Sequence, residues 1–400
     1  MRARKAPGAI TIGLVFFILL MDVVGISLLY PVAPYIVGRY SDDALSLSLL
    51  TAVYAGAQFV AAPAMGKLGD RFGRRPVLVA SLFGSSFGYF MFGIGGALWV
   101  LFLSRLVDGI TAGNQSTAAA YIADISTPET QARNFALIGT AWGVGLVVGP
   151  ALGAALGQVD LAAPAYTAAA IALIGALVCA VALPESLAPE QREARPMRAA
   201  DLNPMVAIGE VARKPGLGGP LLVLWLFNLA FNGINSIETL FLIARFAAQP
   251  WQVGALLVLV GVAVVVAQRV VQPAVVRVGE QFVAVAGLAG QALGALLMIL
   301  AASLWLIVPI TLFKTLASAM VFPTLSALMA GRVMPREQGA LMGVSAALGS
   351  LAAVLGPLWA GAAYDGISPA GPYWLGAAVF AAAMLLLLRV RPSARCRGVE

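Results

Sequence analysis

Apolar stretches of about 20 residues, broken by short polar or glycine-rich steps, recur along the whole chain, and each is long enough to cross a ~30 Å hydrocarbon core as a helix. Backbone in lipid has no water to bond, so each stretch must close its own hydrogen bonds as a helix. The chain therefore reads as an all-α polytopic membrane protein. Windows between charged or Pro/Gly-rich breaks place twelve spans near 10–30, 45–66, 76–96, 97–120, 134–157, 163–183, 219–243, 251–273, 281–302, 303–330, 338–361 and 369–389. Only Gly95 to Ala97 separates the third from the fourth, but one helix over both would be roughly twice as long as a bilayer is thick.

Only 11% of the 400 residues are charged, against roughly a quarter in a soluble domain. Basic residues outnumber acidic ones by 25 to 18, an excess that in a soluble chain would point to nucleic acid. Here they are spread over alternate loops. All but Arg39, Arg105, Arg245 and Lys314 fall in one alternating set of segments, the set that includes both termini. The positive-inside rule then puts both termini in the cytoplasm of a cell whose inner (plasma) membrane the chain crosses, and no nucleic-acid partner is expected. Met1 to Lys5 followed by an apolar run has the charge order of a secretory signal, but no small-residue cleavage site follows, so the run reads as a retained first helix. There is no His, and the two cysteines, Cys179 and Cys396, sit in an apolar run and in the tail. No metal site, disulfide framework or cofactor is expected. With no nucleophile–base constellation, ATP-binding loop or large soluble domain, the chain does not read as an enzyme.

Residues 184–218 form the longest polar stretch and divide the chain into six spans (1–183), a cytoplasmic linker with room for a short surface helix, and six more spans with a basic tail (219–400). A weak duplication relates the halves. Pro128-x-x-Gln131 recurs at Pro335-x-x-Gln338 and Gly149-Pro150 at Gly356-Pro357, while Arg71-x-Gly73 recurs at Arg277-x-Gly279. Parallel repeats of this kind place a transport site near the midplane.

Gly66-Lys-Leu-Gly-Asp70-Arg71-Phe-Gly73-Arg74-Arg75-Pro-Val-Leu78, between the second and third spans, resembles the signature loop of the major facilitator superfamily. Arg105-x-x-x-Gly109 in the fourth span fits the same family, and Gly145-x-x-x-Gly149-Pro150-x-x-Gly153 in the fifth resembles the motif of its drug/proton antiporters. With Asp22-Val-Val-Gly25 and Ala120-Tyr-Ile-Ala-Asp124-Ile, the chain is similar to the tetracycline–proton antiporter branch. The resemblance implies a monomeric secondary transporter of two six-helix halves that exchanges protons for small amphipathic compounds. It also implies a loop latch on the inner side, with Asp70 facing the start of the eleventh span at Gln338. An importer of a small metabolite with protons is the alternative, and a non-transporting receptor a more distant one. Departures bear on the substrate: that branch has further intramembrane acids in its third and ninth helices and a histidine in its eighth. Here the third reads Phe83-Gly-Ser-Ser-Phe-Gly-Tyr89, the ninth offers Gln291, and there is no His.

Each motif has a physical reading of its own. The glycines of the inner loop allow a tight turn, and Asp70 amid Arg71, Arg74 and Arg75 can make charge-assisted hydrogen bonds that break and reform. A basic loop that only anchors topology is the plainer account. Gly145, Gly149 and Gly153 line one helix face and admit a neighbouring backbone, while Pro150 removes a donor and favours a kink.

Charges inside the spans fall on four of them: Asp22 in the first, Arg105 and Asp108 in the fourth, Glu238 in the seventh and Lys314 in the tenth. Facing lipid, each central Asp, Lys or Arg would cost roughly 2.5–3.5 kcal/mol, so they face one another or water. These are the spans that line the cavity in the family resembled. Asp22 lies about 18 Å in from Ile10 and Arg105 about 12 Å in from Ala97, depths that coincide in a ~30 Å core. The reading pairs Asp22 with Arg105, with Asp108 a turn away, as a proton-coupling set; a static structural ion pair is the alternative. Lys314 lies about 15 Å from Leu304, with Thr311 and Ser318 on its face. Asn228, Asn232, Asn235 and Thr239 form one stripe of the seventh span, with Trp225 beside it. Lys314, these asparagines and Trp225 are the substrate-contact candidates. Glu238 joins them, although it sits off the stripe towards the outer end, where an interfacial role is also open.

Overall fold

The computed structural model describes residues 9–112, 114–127, 129–192, 216–334 and 338–390. The basic start Met1–Lys5, linker residues 193–215 with their expected surface helix, Pro128 and Pro335 of the duplication, and the tail from 391 with Cys396 lie outside the described residues.

Among the described residues the regular structure is helical. In the first half of the chain α1 is Ala9–Leu28, α2 Ala33–Val37, α3 Ala44–Phe72, α4 Arg74–Ile94, α5 Leu98–Thr111, α6 Asn114–Ile125, α7 Gln131–Gly157 and α8 Ala163–Ala182, followed by a 3₁₀ turn at Pro189–Gln191. In the second half α9 is Gly218–Phe246, α10 Pro250–Val278, α11 Glu280–Leu300, α12 Leu304–Ala330, α13 Gln338–Gly366 and α14 Gly371–Arg389. Eleven of these are long and apolar enough to cross a bilayer. The surface agrees: Trp305 and Val181 are each 85% exposed and Val60 73%, an apolar exterior suited to lipid and a liability in water. This is a multi-pass membrane protein.

One of the twelve expected spans is divided. The fourth, expected as one helix over 97–120, consists of the 14-residue α5 and the 12-residue α6. Gly113, between the two, lies outside the described residues.

By internal packing the chain resolves into two compact units. The first comprises residues 1–42, 53–202 and 249–261, and the second comprises 43–52, 203–248 and 262–400. Within the first, α1 packs on α7 and α8, and α4 on α5 and α8. Within the second, α9 packs on α13 and α14, and α11 on α12 and α14. The partners correspond pair by pair. Gly73 and Gly279 correspond too: each is a lone residue between two helices, with φ 105° and 87° and ψ 157° and 158°, a left-handed conformation that glycine alone adopts without strain.

Candidate functional site

The signature segment between the second and third spans is mostly helix. α3 runs on through Gly66, Gly69, Asp70 and Arg71, so the expected glycine-rich turn shrinks to Gly73. Arg74 opens the next helix and collects the segment's charges. Its Nη2 is 2.6 Å from Asp70 Oδ1, its Nε donates to Asp124 Oδ2 at 3.2 Å, and its Nη1 donates to the carbonyl of Gly66 at 3.3 Å. Gly69 makes room for this, since a Cβ there would lie 3.0 Å from Arg74 Nη1. Arg75 Nη2 donates to the Ala180 carbonyl, and Arg71 sits 5.4 Å from the Phe72 ring centroid at the surface.

Two partners of this network were not anticipated. Glu185 accepts the backbone N–H groups of Arg74 at 2.8 Å, Arg75 at 3.2 Å, Ser186 at 3.0 Å and Leu187 at 3.1 Å. It thereby caps the start of α4, where free N–H groups and the helix dipole favour an anion. Asp124 receives both Arg74 and the Ser186 hydroxyl. The cue was in the sequence, two acids at the ends of spans beside a basic loop, but nothing local pairs residues 50 and 111 positions apart.

The glycine stripe of α7 is the seat of α1. Cβ atoms at Gly145 and Gly157 would sit 2.5 Å from Val23 and 2.6 Å from Val32, and those at Gly149 and Gly153 would strike Ser27 and the Leu28 carbonyl. Ser27 Oγ donates to the Gly145 carbonyl at 3.0 Å. Helix α7 continues through Pro150. The stripe thus fixes how closely the helix bearing Asp22 approaches. Its repeat counterpart does the same in the second unit, where Gly356 of α13 meets Gly233 and Asn232 of α9.

In the first unit Arg105 Nη1 lies 3.3 Å from Asp108 Oδ2, with side chains 11% and 1% exposed. The contact is electrostatic rather than a formed hydrogen bond, and among the described residues Arg105 Nε and Nη2 have no hydrogen-bond partner either. Aromatic rings flank the guanidinium, Phe92 at 4.6 Å and Tyr89 at 5.7 Å. Gly88 lets α4 close onto Asp108, leaving 3.0 Å between an added Cβ and the Asp108 Cβ. Asp22 belongs to the same neighbourhood: Tyr54 and Tyr89 each lie within Coulombic reach of Asp22, Asp108 and Arg105. Arg105 thus pairs with Asp108, one turn along its own helix, and Asp22 shares the electrostatic neighbourhood of both.

In the second unit Lys314 Nζ donates to Glu238 Oε2 at 2.9 Å. Glu238, a substrate-contact candidate for which an interfacial role was also open, is thus the ion partner of Lys314. It lies eight residues inside the end of α9, roughly 12 Å, against roughly 15 Å for Lys314 from the start of α12. Thr311 Oγ1 is 3.5 Å from Glu238 Oε1, whereas Ser318 turns back onto the Thr315 carbonyl. Asn228 and Asn232 also turn inward, donating to the carbonyls of Leu224 and Asn228 at 2.8 Å each. Asn235 is exposed. Trp225 Nε1 is buried without a hydrogen-bond partner. Gln338 opens α13 and is exposed. Among the described residues no group of His, Cys, Asp and Glu could hold a metal ion.

The family described as Major Facilitator Superfamily matches residues 15–249 and 221–397. The chain is 35% identical over 373 residues to the class C tetracycline resistance protein of Escherichia coli, spanning 92% of each. It is 26% identical over 360 residues to multidrug resistance protein 2 of Bacillus subtilis (strain 168), spanning 88% of this chain and 89% of that one. Among solved structures, the human organic anion transporter MFSD10 (TETRAN) is 27% identical with a TM-score of 0.70, over 96% of this chain and 100% of that one. The nucleoside transporter NupG has a TM-score of 0.80 at 12% identity, over 95% and 98%, a likeness of fold alone. The chain belongs to the Major Facilitator Superfamily, and within it is similar to the tetracycline resistance proteins.

Proposed function

We propose that this protein is a proton-coupled antiporter that exports small amphipathic compounds by alternating access, working as a monomer in the inner (plasma) membrane with both termini cytoplasmic. The observation that carries the reading is the charge set of the first unit: Arg105 and Asp108 paired at 3.3 Å in a buried site, with Asp22 in the same electrostatic neighbourhood. A carboxylate is a proton carrier only if its charged and neutral forms favour different states of the protein, and a partly satisfied arginine supplies that difference. The full-length similarity to tetracycline and multidrug resistance proteins supports drug-like cargo. The two six-span halves, 1–183 and 219–400 about the linker, are the bodies that exchange access. The latch role of Asp70 and its arginines towards Gln338 belongs to the same proposal.

Purified protein in liposomes with an imposed pH gradient tests it. Tetracycline or a fluorescent cationic dye should accumulate against its gradient with proton counterflow. Asp22→Asn and Asp108→Asn should lose gradient-driven accumulation and keep exchange of substrate for substrate. Full driven transport by Asp22→Asn would remove that residue as carrier, and no solute flux in wild type under any gradient would remove the transporter.

A further inference from the structure

The Lys314–Glu238 pair has no part in the proton set of the first unit, yet it is the more completely built of the two. Its side chains are 8% and 15% exposed and 2.9 Å apart. An added Cβ at Gly294 would come 2.5 Å from Lys314 Cγ, and Gln291 Nε2 donates to the Lys314 carbonyl, so the stem of the lysine is held from α11. Tyr373 of α14 presents its ring 5.8 Å from the ammonium. That tyrosine is fully buried, and its hydroxyl has no hydrogen-bond partner among the described residues. Phe241 packs on the same ring with centroids 4.7 Å apart.

A buried ion pair seldom adds stability over a well-packed apolar pair, so four converging helices and an unused buried hydroxyl need another reason. An ammonium offers three donors, and one is directed at Glu238. Chemistry that would use the rest, together with a phenol O–H beside an aromatic wall, is a carboxylate on a small apolar body. The other charged or titratable groups are few. Lys314 of α12 bonds Glu238, Tyr373 of α14 and Tyr364 of α13 lie within electrostatic range of the site, and α11 contributes the uncharged Gln291.

We propose that Lys314 and Tyr373 form a receptor for the carboxylate of an organic anion, and that Glu238 is its proton-accepting gate. At rest Glu238 is the counterion of Lys314. When a ligand carboxylate takes that place, Glu238 binds a proton from water, and the set stays neutral: one ammonium, one ligand carboxylate and one carboxylic acid. The proposal builds on the transporter reading for the site's purpose, but the binding step needs no gradient.

Calorimetric titration of the purified full-length protein with 2-naphthoate and with neutral 2-naphthamide, in two buffers of different ionisation enthalpy, tests it. Wild type should bind the naphthoate about ten-fold more tightly than the amide and take up about one proton per ligand. Lys314→Gln should abolish the preference. Tyr373→Phe should weaken the naphthoate alone, by about three- to ten-fold. Glu238→Gln should keep the preference, bind more tightly and take up no proton. Should Lys314→Gln not fold, the Lys314→Gln/Glu238→Gln double variant, which leaves no unpaired charge, serves in its place. Equal affinity for the two probes in wild type, a preference that survives loss of Lys314, or proton uptake unchanged in Glu238→Gln would each overturn the proposal. Failure of driven export with this binding pattern intact would instead sink only the antiporter reading.

Discussion

Arg105 and Asp108 pose the sharpest question of cost. Asp108 keeps 1% of its side chain exposed, so deleting its partner leaves a carboxylate with little water to replace it. Removing one member of a buried pair typically costs about 3–5 kcal/mol, whereas removing both costs far less. Arg105→Met and Asp108→Asn should therefore each lower the apparent unfolding temperature in detergent, and the double variant should be more stable than the Arg105→Met single. Additive losses would mean that the two side chains do not depend on each other. Sequence carried this site a long way: four charged spans were identifiable because charge in lipid is costly, and the i,i+3 spacing already put Arg105 and Asp108 on one face. It fell short at Glu238. A helical stripe says which side of one helix a residue shares, and Glu238 is off the asparagine stripe. Its partner is set by how closely α9 approaches α12, which no single-helix pattern records.

Glycines divide the helices into faces that meet a neighbour and faces that do not, and α7 contains both. A Cβ at Gly149 would strike Ser27 of α1, while one at Gly139 of the same helix meets nothing within 4 Å. Gly149→Ala should cost about 1–3 kcal/mol through overpacking. Gly139→Ala should be neutral or gain up to about 1 kcal/mol from helix propensity. Thermal unfolding of the two variants side by side checks both, and similar shifts would show that α1 does not rest on the stripe. The turn between α3 and α4 gives a second contrast. Glu185 caps α4 through the N–H groups of Arg74 and Arg75, so Glu185→Ala should destabilise by about 1–2 kcal/mol, near the upper range for a lost cap. Glu185→Gln, which still accepts hydrogen bonds, should recover part of that loss. The positions of the spans were legible because lipid demands long apolar runs. The lone Gly73 turn was not, because Gly66 and Gly69 look equally able to break a helix, yet both stay within α3.

The correspondence between the units reaches beyond the three short sequence matches that first suggested it. The same helix pairs pack in each, and Gly73 and Gly279 adopt the same backbone conformation 206 positions apart. A duplicated six-span element keeps its orientation in the membrane when an even number of spans separates the copies, so Arg71 and Arg277 must emerge on one side. The positive-inside rule predicts that side to be the cytoplasm. Single cysteines test both statements together in a Cys179→Ser, Cys396→Ser background. Arg39, Asp160, Arg71 and Arg277 are all exposed, so each position can react where its side of the membrane allows. In intact cells a membrane-impermeant maleimide should label Arg39→Cys and Asp160→Cys, and should reach Arg71→Cys and Arg277→Cys only after permeabilisation. Labelling of Arg71→Cys without Arg277→Cys would break the parallel repeat itself, because an odd number of crossings would then lie between them. Labelling of both from outside would preserve the repeat and invert the molecule, placing the Arg74 network on the outer surface. In that case Asp22 would take its protons from the opposite side, and the direction of export proposed for the antiporter would reverse with it.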